Sequence, residues 1–143
     1  MVNSAAPATG DFLNRYGSEE ALYAEFTARA RAGELAVQRC SDCSYLRWPP
    51  ARACPQCWSG QWRWEPVSGA GTIWSVAVYE RKYGSHRPVP YTVVLVELDA
   101  GPVMLSTVVG TPDLELAPGQ RVVADLAGPG PGLAQLVFRR ERP

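Results

Sequence analysis

The chain has 143 residues, which is enough for one compact domain with a small module beside it. Its 14 basic residues balance its 14 acidic residues, so no broad positive field favours binding to nucleic acid or to an anionic membrane. No apolar run reaches the roughly 18–20 residues that cross a bilayer, which excludes a transmembrane helix. The N-terminus lacks the basic and then apolar pattern of a signal peptide, and a cytoplasmic location is predicted.

The N-terminal part predicts a flexible tail followed by one helix. Residues 1–17 are small, polar and aperiodic, whereas residues 18–33 carry acids in the first turn, arginines in the last turn and a glycine at the end. Leu22 and Phe26 share one apolar stripe, and Tyr23 borders it. The stripe favours docking either onto the chain's own domain or onto a partner protein.

All four cysteines fall into two C-x-x-C pairs, with ten residues between the pairs. Cys40 and Cys43 form the first pair, and Cys54 and Cys57 form the second. Two intervening residues let both sulfurs of a pair point at one ion, and the second pair completes a tetrahedral site. The pattern predicts a structural zinc site with no open position for a substrate. Iron in the same site and redox chemistry are alternatives, whereas disulfides across such short loops would stabilise little.

A zinc ribbon is predicted over residues 34–66, built around these two pairs. Residues 34–39 and 45–48 can pair as a hairpin that carries the first pair at its tip. Arg39, Arg47 and Arg52 lie close enough in sequence to offset the negative charge of four thiolates. The module contains four tryptophans, and any of them left exposed would mark an interface.

Residues 67–143 predict a small β-barrel. Five strands are expected, at residues 71–80, 91–98, 103–109, 121–126 and 133–139. Glycine, proline or aspartate stands at each break, and no helical pattern intervenes. Apolar residues on both faces of these strands indicate closure, with one face filling the barrel and the other meeting a helix or a partner. The fold class is therefore mainly β, with an N-terminal helix, a zinc ribbon and a five-stranded OB-fold barrel.

The longest polar loop, residues 81–90, holds the densest positive charge in the chain. It contains Arg81, Lys82, His86 and Arg87, and in an OB-fold this loop borders the usual ligand face. A plain solvated loop is one interpretation, and a contact with an anion such as a phosphate is the other.

Little in the sequence predicts catalysis by this chain alone. The cysteines are assigned to metal, and His86 is the only histidine, with only Ser85 as a nearby candidate partner. Turn solvation explains the proximity of Glu97 and Asp99 more simply than acid–base chemistry. The arginines of residues 139–142 are expected to form a solvated basic end.

The combination of helix, ribbon and barrel, in this order, resembles the rubredoxin-like zinc-ribbon/OB-fold family known as domain of unknown function 35. The resemblance extends over about residues 20–139. Ser44 stands after the second cysteine, where many relatives carry glycine, and this leaves the metal assignment intact. The matching motifs lie at residues 33–40, 48–52, 54–57, 69–73, 90–91, 98–101 and 119–123.

The resemblance implies a partner enzyme rather than an independent activity. Members of this family assemble with thiolase-like proteins, including thiolases, acyltransferases and lipid-transfer-type aldolases, or work beside MaoC-like hydratases in steroid side-chain degradation. The small subunit braces the enzyme and helps to shape the entry for an acyl-CoA. By this analogy Arg81, Lys82 and Arg87 are candidates for contacting CoA phosphates. Leu22, Tyr23 and Phe26 are candidates for docking onto the partner.

A nucleic-acid-binding module is the second hypothesis, because zinc ribbons and OB-folds both occur in that role. Zero net charge and a single lysine disfavour it. A basic barrel groove with exposed stacking aromatic residues would favour it.

Overall fold

The computed structural model describes residues 19–82, 88–126 and 136–142. In these ranges the chain forms helix α1 (Glu19–Arg31), eight strands and one short 3-10 helix (Asp113–Glu115). Among the described residues, no helix combines the length and the apolarity that crossing a membrane requires. The strands are β1 (Ala36–Cys40), β2 (Leu46–Arg47), β3 (Trp62–Pro66), β4 (Ala70–Tyr79), β5 (Tyr91–Leu98), β6 (Val103–Ser106), β7 (Arg121–Asp125) and β8 (Val137–Arg140).

The ribbon is a three-stranded antiparallel sheet in the order β2-β1-β3. The predicted hairpin is confirmed, because Gln38 pairs with Arg47 and Arg39 pairs with Leu46. Strand β3 pairs along the other side of β1, with Cys40 opposite Trp62. The first cysteine pair therefore begins where β1 ends, at the tip of the hairpin.

The second sheet has the order β6-β5-β4-β7-β8, with every neighbouring pair antiparallel. It closes through a parallel bridge between Val108 and Phe138. The amide N–H of Phe138 donates to the Thr107 carbonyl at 2.9 Å, and the Val109 amide donates to the Phe138 carbonyl at 2.8 Å. Five strands closed in this way confirm the predicted barrel. The first four predicted strands match within a few residues, and part of the fifth lies outside the described residues.

An irregularity in β4 decides which side chains face outward. Ile73 pairs with Val96 and Ser75 pairs with Leu95, so Trp74 is an extra residue in the ladder. Such a bulge places two residues of one strand opposite a single residue of the other. Ile73 points into the core, and Trp74 is left on the outside.

Helix α1 packs against the chain's own ribbon. The Phe26 side chain is 0% exposed, and its ring lies 4.7 Å from that of Trp48. The Tyr23 ring meets the same tryptophan edge-on at 6.2 Å. Phe26 shares one hydrophobic core with Val37 of the ribbon and with the barrel. This burial removes Phe26 from the candidate docking residues, because a side chain inside the core offers no surface to a partner.

Candidate functional site

The two cysteine pairs are held in matching turns. The amide N–H of Ser44 donates to the Cys40 carbonyl at 3.0 Å, and the amide of Trp58 donates to the Cys54 carbonyl at 2.8 Å. Ser44 and Trp58 both have left-handed backbone conformations, with φ of 66° and 64°. This conformation costs a residue with a side chain roughly 1–2 kcal/mol, a cost that glycine would not carry at either position.

The turns bring all four sulfur atoms within 4.8 Å of one another. The Sγ atoms of Cys40 and Cys57 lie 3.6 Å apart, as do those of Cys43 and Cys54. A zinc ion with four sulfur ligands at about 2.3 Å requires sulfur–sulfur distances of about 3.8 Å. A disulfide would bring two sulfurs to about 2.05 Å, and the four cysteines are free thiols. The geometry therefore fits the predicted zinc site.

The acid–base properties of the thiols also favour a bound cation. A hydrogen bond from the main chain of Cys43 lowers the pKa of Cys40 to about 6, although desolvation opposes it. The main chain of Ser59 acts in the same direction on Cys57, but desolvation and the neighbouring thiols outweigh it and raise the pKa of Cys57 to about 12. Four thiolates in contact repel one another, so full ionisation requires a positive ion between them.

A buried polar contact connects the ribbon sheet to the second cysteine pair. The carboxamide oxygen of Gln38 accepts hydrogen bonds from Arg47 Nε at 2.7 Å and from the Ala51 main-chain N–H at 2.8 Å. Arg47 Nη2 donates in turn to the Ala51 carbonyl at 2.9 Å. Gln38 and Arg47 are both buried. The segment that leads into Cys54 is thereby fixed against β1 and β2.

The remaining arginine and acid contacts of the ribbon are closer to solvent. Arg39 pairs with Glu65 across the sheet and donates to the Ser44 carbonyl at 2.6 Å. The Ser59 hydroxyl donates to Asp42, which links the two cysteine turns directly. The Ser59–Asp42 hydrogen bond therefore joins the two turns, and the Arg39 contacts fix the first turn to the sheet.

The sequence-predicted CoA contacts lie at the end of the first barrel strand. Arg81 and Lys82 are exposed just after β4. Arg87 and His86 lie outside the described residues. Of the docking candidates, Leu22 and Tyr23 are half-buried on α1. The described structure therefore leaves Arg81 and Lys82 exposed and Leu22 and Tyr23 partly accessible.

The structure adds an apolar surface that the sequence indicated only in part. Trp74 is 61% exposed and Leu105 is 68% exposed. Leu105 pairs with Leu95, and Trp74 directly precedes Ser75, which pairs with Leu95 on the other side. The rings of Tyr79, at the end of β4, and Tyr91, at the start of β5, stack with their centres 5.2 Å apart. The sequence signal was the presence of apolar residues on both faces of these strands. We call this surface the outer barrel face, and it comprises Trp74, Tyr79, Tyr91, Val93, Leu95 and Leu105.

One ribbon tryptophan is also exposed, as the sequence interpretation allowed. Trp58 is 82% exposed, whereas Trp48, Trp62 and Trp64 are half-buried. The Arg47 guanidinium lies 5.5 Å from the centre of the Trp62 ring, which accounts for part of this packing. Trp58 is therefore a second apolar feature that a partner could contact.

Two family models match consecutive parts of the chain. Residues 27–63 match the model described as ChsH2, rubredoxin-like zinc ribbon domain. Residues 64–127 match the model described as ChsH2, C-terminal OB-fold domain. The matched boundary coincides with β3, between the ribbon and the barrel.

Two curated proteins are similar to the chain in sequence. A probable enoyl-CoA hydratase alpha subunit of Thermomonospora curvata is 34% identical over 110 residues, which cover 77% of this chain and 34% of that protein. A 3-oxo-4,17-pregnadiene-20-carboxyl-CoA hydratase alpha subunit of Mycobacterium tuberculosis is 37% identical over 94 residues, which cover 66% of this chain and 30% of that protein. The chain therefore spans about a third of the length of these curated relatives.

Two solved structures are similar in fold. One, described as an Ltp2-ChsH2(DUF35) aldolase, has a TM-score of 0.70 and 32% identity, and the match covers 82% of this chain and 92% of that chain. A DUF35-family protein of unknown function from Sulfolobus solfataricus has a TM-score of 0.53 at 12% identity, covering 94% of this chain and 99% of that chain, and supports the fold alone. With its ribbon and barrel both matched, the chain belongs to the ChsH2 family of rubredoxin-like zinc-ribbon and OB-fold proteins of the DUF35 type.

Proposed function

We propose that this chain is a non-catalytic subunit that binds and stabilises a thiolase-like enzyme and helps to form its acyl-CoA binding site. The partner would be a thiolase, an acyltransferase or a lipid-transfer-type retro-aldolase, with a MaoC-like hydratase as a further partner. The observation that carries the proposal is the similarity to a chain of an Ltp2-ChsH2(DUF35) aldolase over 92% of that chain's length. The similarity to two hydratase alpha subunits supports an acyl-CoA ligand. One of these relatives is a hydratase of 3-oxo-4,17-pregnadiene-20-carboxyl-CoA, which supports a steroid acyl group.

The metal centre would serve the proposed function as a structural element. Cys40, Cys43, Cys54 and Cys57 would hold the zinc, and four sulfur ligands leave no position for substrate. Bound zinc would supply charge balance and a fixed ribbon rather than a reactive water. The partner would therefore contribute the catalytic groups.

The outer barrel face is the surface that best supports docking onto an enzyme. Trp74 and Leu105 leave most of their apolar side chains exposed on this face, and large exposed apolar groups close together often mark interaction sites. Exposed aromatic side chains commonly carry much of the binding energy at protein interfaces. Leu22 and Tyr23 of α1 remain candidates for a second contact.

The loop after β4 remains the proposed contact for CoA phosphates. Arg81 and Lys82 carry positive charge at the exit of the strand, and Arg87 follows in the same loop. Arginine pairs with phosphate in a bidentate geometry, and lysine adds a point charge. The acyl-CoA would then be shared between this chain and the partner enzyme.

The outer barrel face does not favour the nucleic-acid hypothesis. Its aromatic residues are accompanied by Leu95 and Leu105, and the charged neighbour in the same register is Glu97. Within the described residues, no arginine or lysine lies at the centre of this face. Single-strand binders combine stacking rings with a positively charged groove, and only the rings are found here.

The experiment is recovery of the tagged chain from its native host, with mass spectrometry of proteins that co-purify in stoichiometric amount. A thiolase-fold enzyme or a hydratase is the expected partner. Nucleic acid or RNA-associated proteins alone would overturn the proposal. The identified partner is then co-expressed with the chain, and the binding constant is measured.

The docking surface is tested with a matched pair of variants. Trp74→Ser with Leu105→Ser should weaken the complex by roughly 100-fold or more, because two exposed anchors are lost. Leu114→Ser is the control, since Leu114 is 98% exposed but belongs to the 3-10 helix and not to the outer barrel face. If all variants bind the partner equally while remaining folded, the enzyme docks elsewhere.

A further inference from the structure

The described residues form a cleft of about 360 Å³ at the closure of the barrel, lined by residues 109–111 and 139–142. One wall follows the parallel bridge at Val108, and the other is the end of β8 with the residues after it. The sequence predicted a solvated basic end here. The structure leaves Arg139, Arg140 and Arg142 exposed, as expected, and places them around one concave site.

The main chain of the first wall presents unpaired donors. Gly110 has φ of 77°, a conformation that favours glycine. A Cβ atom built on Gly110 would lie 3.0 Å from Nη1 of Arg139, so the guanidinium rests directly against the glycine backbone. Among the described residues, the main-chain N–H groups of Gly110 and Thr111 have no hydrogen-bond partner. Successive N–H groups in such a turn are a recurring anion-binding arrangement.

The charges of the second wall leave positive charge for a ligand. Arg139 pairs with Asp125 through Nε, while its Nη1 remains on the side of Gly110. Arg140 contacts Glu115 only at 3.7 Å. In the part of the chain that the structure describes, Arg142 has no acidic partner.

The one acid that lines the cleft is already engaged. Glu141 interacts with Arg121 at 3.4 Å. The same arginine binds Asp99 through Nη1 and Nη2, each at 2.7 Å. Among the residues that line the cleft, three arginines stand against the one acid, Glu141, so the lining has an excess of positive charge, and the acids that pair with Arg139 and Arg140 lie just outside it.

We propose that this cleft binds a phosphate monoester, and specifically the 3′-phosphate of the CoA nucleotide. The assignment of CoA rests on the proposed function, whereas the phosphate chemistry rests on the cleft alone. Guanidinium groups and backbone N–H groups are the donors that phosphate oxygens accept from. The loop that begins at Arg81 would then be left to contact other phosphates of the same ligand.

The test uses the zinc-loaded chain without a partner, titrated with CoA, 3′-dephospho-CoA and inorganic phosphate. Calorimetry gives the affinities, and amide NMR spectra locate the binding. We expect CoA to bind roughly tenfold or more tightly than 3′-dephospho-CoA, the scale of one lost charged contact. The largest chemical-shift changes on addition of CoA should be those of the Gly110 and Thr111 amides.

The variant Arg140→Gln with Arg142→Gln should weaken CoA binding roughly tenfold or more. Arg63→Gln, which removes an exposed arginine of the ribbon, is the matched control and should leave the affinity unchanged. Equal binding of CoA and 3′-dephospho-CoA, or shifts away from Gly110, would overturn the proposal. Inorganic phosphate binding as tightly as CoA would overturn the CoA assignment.

The outcome is separate from that of the proposed function. If CoA binds in the cleft but no enzyme co-purifies, the subunit role fails and the phosphate site stands. If a thiolase-like partner co-purifies but CoA leaves Gly110 and Thr111 unshifted, the subunit role stands and the phosphate site fails.

Discussion

The Gln38 side chain offers the sharpest test of how the metal ribbon is held together. Replacing it by leucine keeps a similar volume and removes the oxygen that accepts from Arg47 Nε at 2.7 Å and from the Ala51 N–H at 2.8 Å. Both donors would stay buried without an acceptor in that position. We therefore expect Gln38→Leu to destabilise the protein.

The expected loss of stability in Gln38→Leu follows from the two hydrogen bonds that it removes. A buried donor left unsatisfied costs about 1–3 kcal/mol, and more if it is charged. The substitution also removes the buried Gln38 Nε2, which lacks a partner among the described residues, and adds apolar burial. We expect a net loss of about 2–4 kcal/mol, a large fraction of the roughly 5–15 kcal/mol of a typical domain.

The assay is urea unfolding of the zinc-loaded protein, combined with the rate of zinc transfer to a chelator. Gln38→Leu should lower the urea concentration at the midpoint of unfolding without changing the dependence of the unfolding free energy on urea concentration. It should also speed zinc transfer, because Ala51 leads into the turn of Cys54. Gln38→Glu retains the acceptor oxygen beside Arg47 and should lose less stability than Gln38→Leu.

The matched control is Gln61→Leu, at an exposed position of the same ribbon. Substitutions at such positions usually change stability by less than about 0.5 kcal/mol. If Gln38→Leu were no more destabilising than Gln61→Leu, the buried contact would contribute nothing to the fold, and the reasoning would be refuted.

Three further outcomes test the metal, the barrel and an ion pair. Metal analysis should give one zinc per chain. Removal of the zinc by a chelator should unfold the ribbon and change the fluorescence of its tryptophans. Iron or a disulfide in the purified chain would contradict this. Gly71→Ala should destabilise the protein by about 1–3 kcal/mol in urea unfolding, because the new Cβ would lie 2.6 Å from the Glu97 carbonyl oxygen. Gly60→Ala is the control and should be well tolerated, because the atom nearest to its new Cβ lies 3.8 Å away. Hydrogen bonds from Arg121 hold the pKa of Asp99 below its usual value. This pair therefore stabilises the fold fully above the unfolded-state pKa of about 3.9. The stabilisation is lost as the pH falls through the lower folded-state pKa. Stability curves of Asp99→Asn and the wild type should therefore converge at low pH, and a constant difference between pH 7 and pH 2 would exclude this linkage.

The cysteine spacing and the strand pattern were sufficient to predict the metal ribbon and the barrel. Each cysteine pair is a local unit whose turn places both sulfurs, so only the meeting of the two turns depends on the rest of the chain. The hairpin register, with Gln38 opposite Arg47, likewise follows from the short connection between its strands. Apolar residues on both faces predicted closure of the five strands, and the bridge at Val108 confirmed it.

Tertiary structure alone decided which side chains are available for function. The sequence placed Phe26 on an apolar stripe without showing whether a partner or Trp48 covers it, and the packing of α1 on the ribbon settled this. The bulge that turns Trp74 outward has no signature in the alternation of β4. The cleft between Gly110 and Arg140 joins residues 30 positions apart that meet only when the barrel closes. Exposure and convergence depend on contacts distant in sequence, whereas ligand spacing and strand periodicity are properties of neighbouring residues.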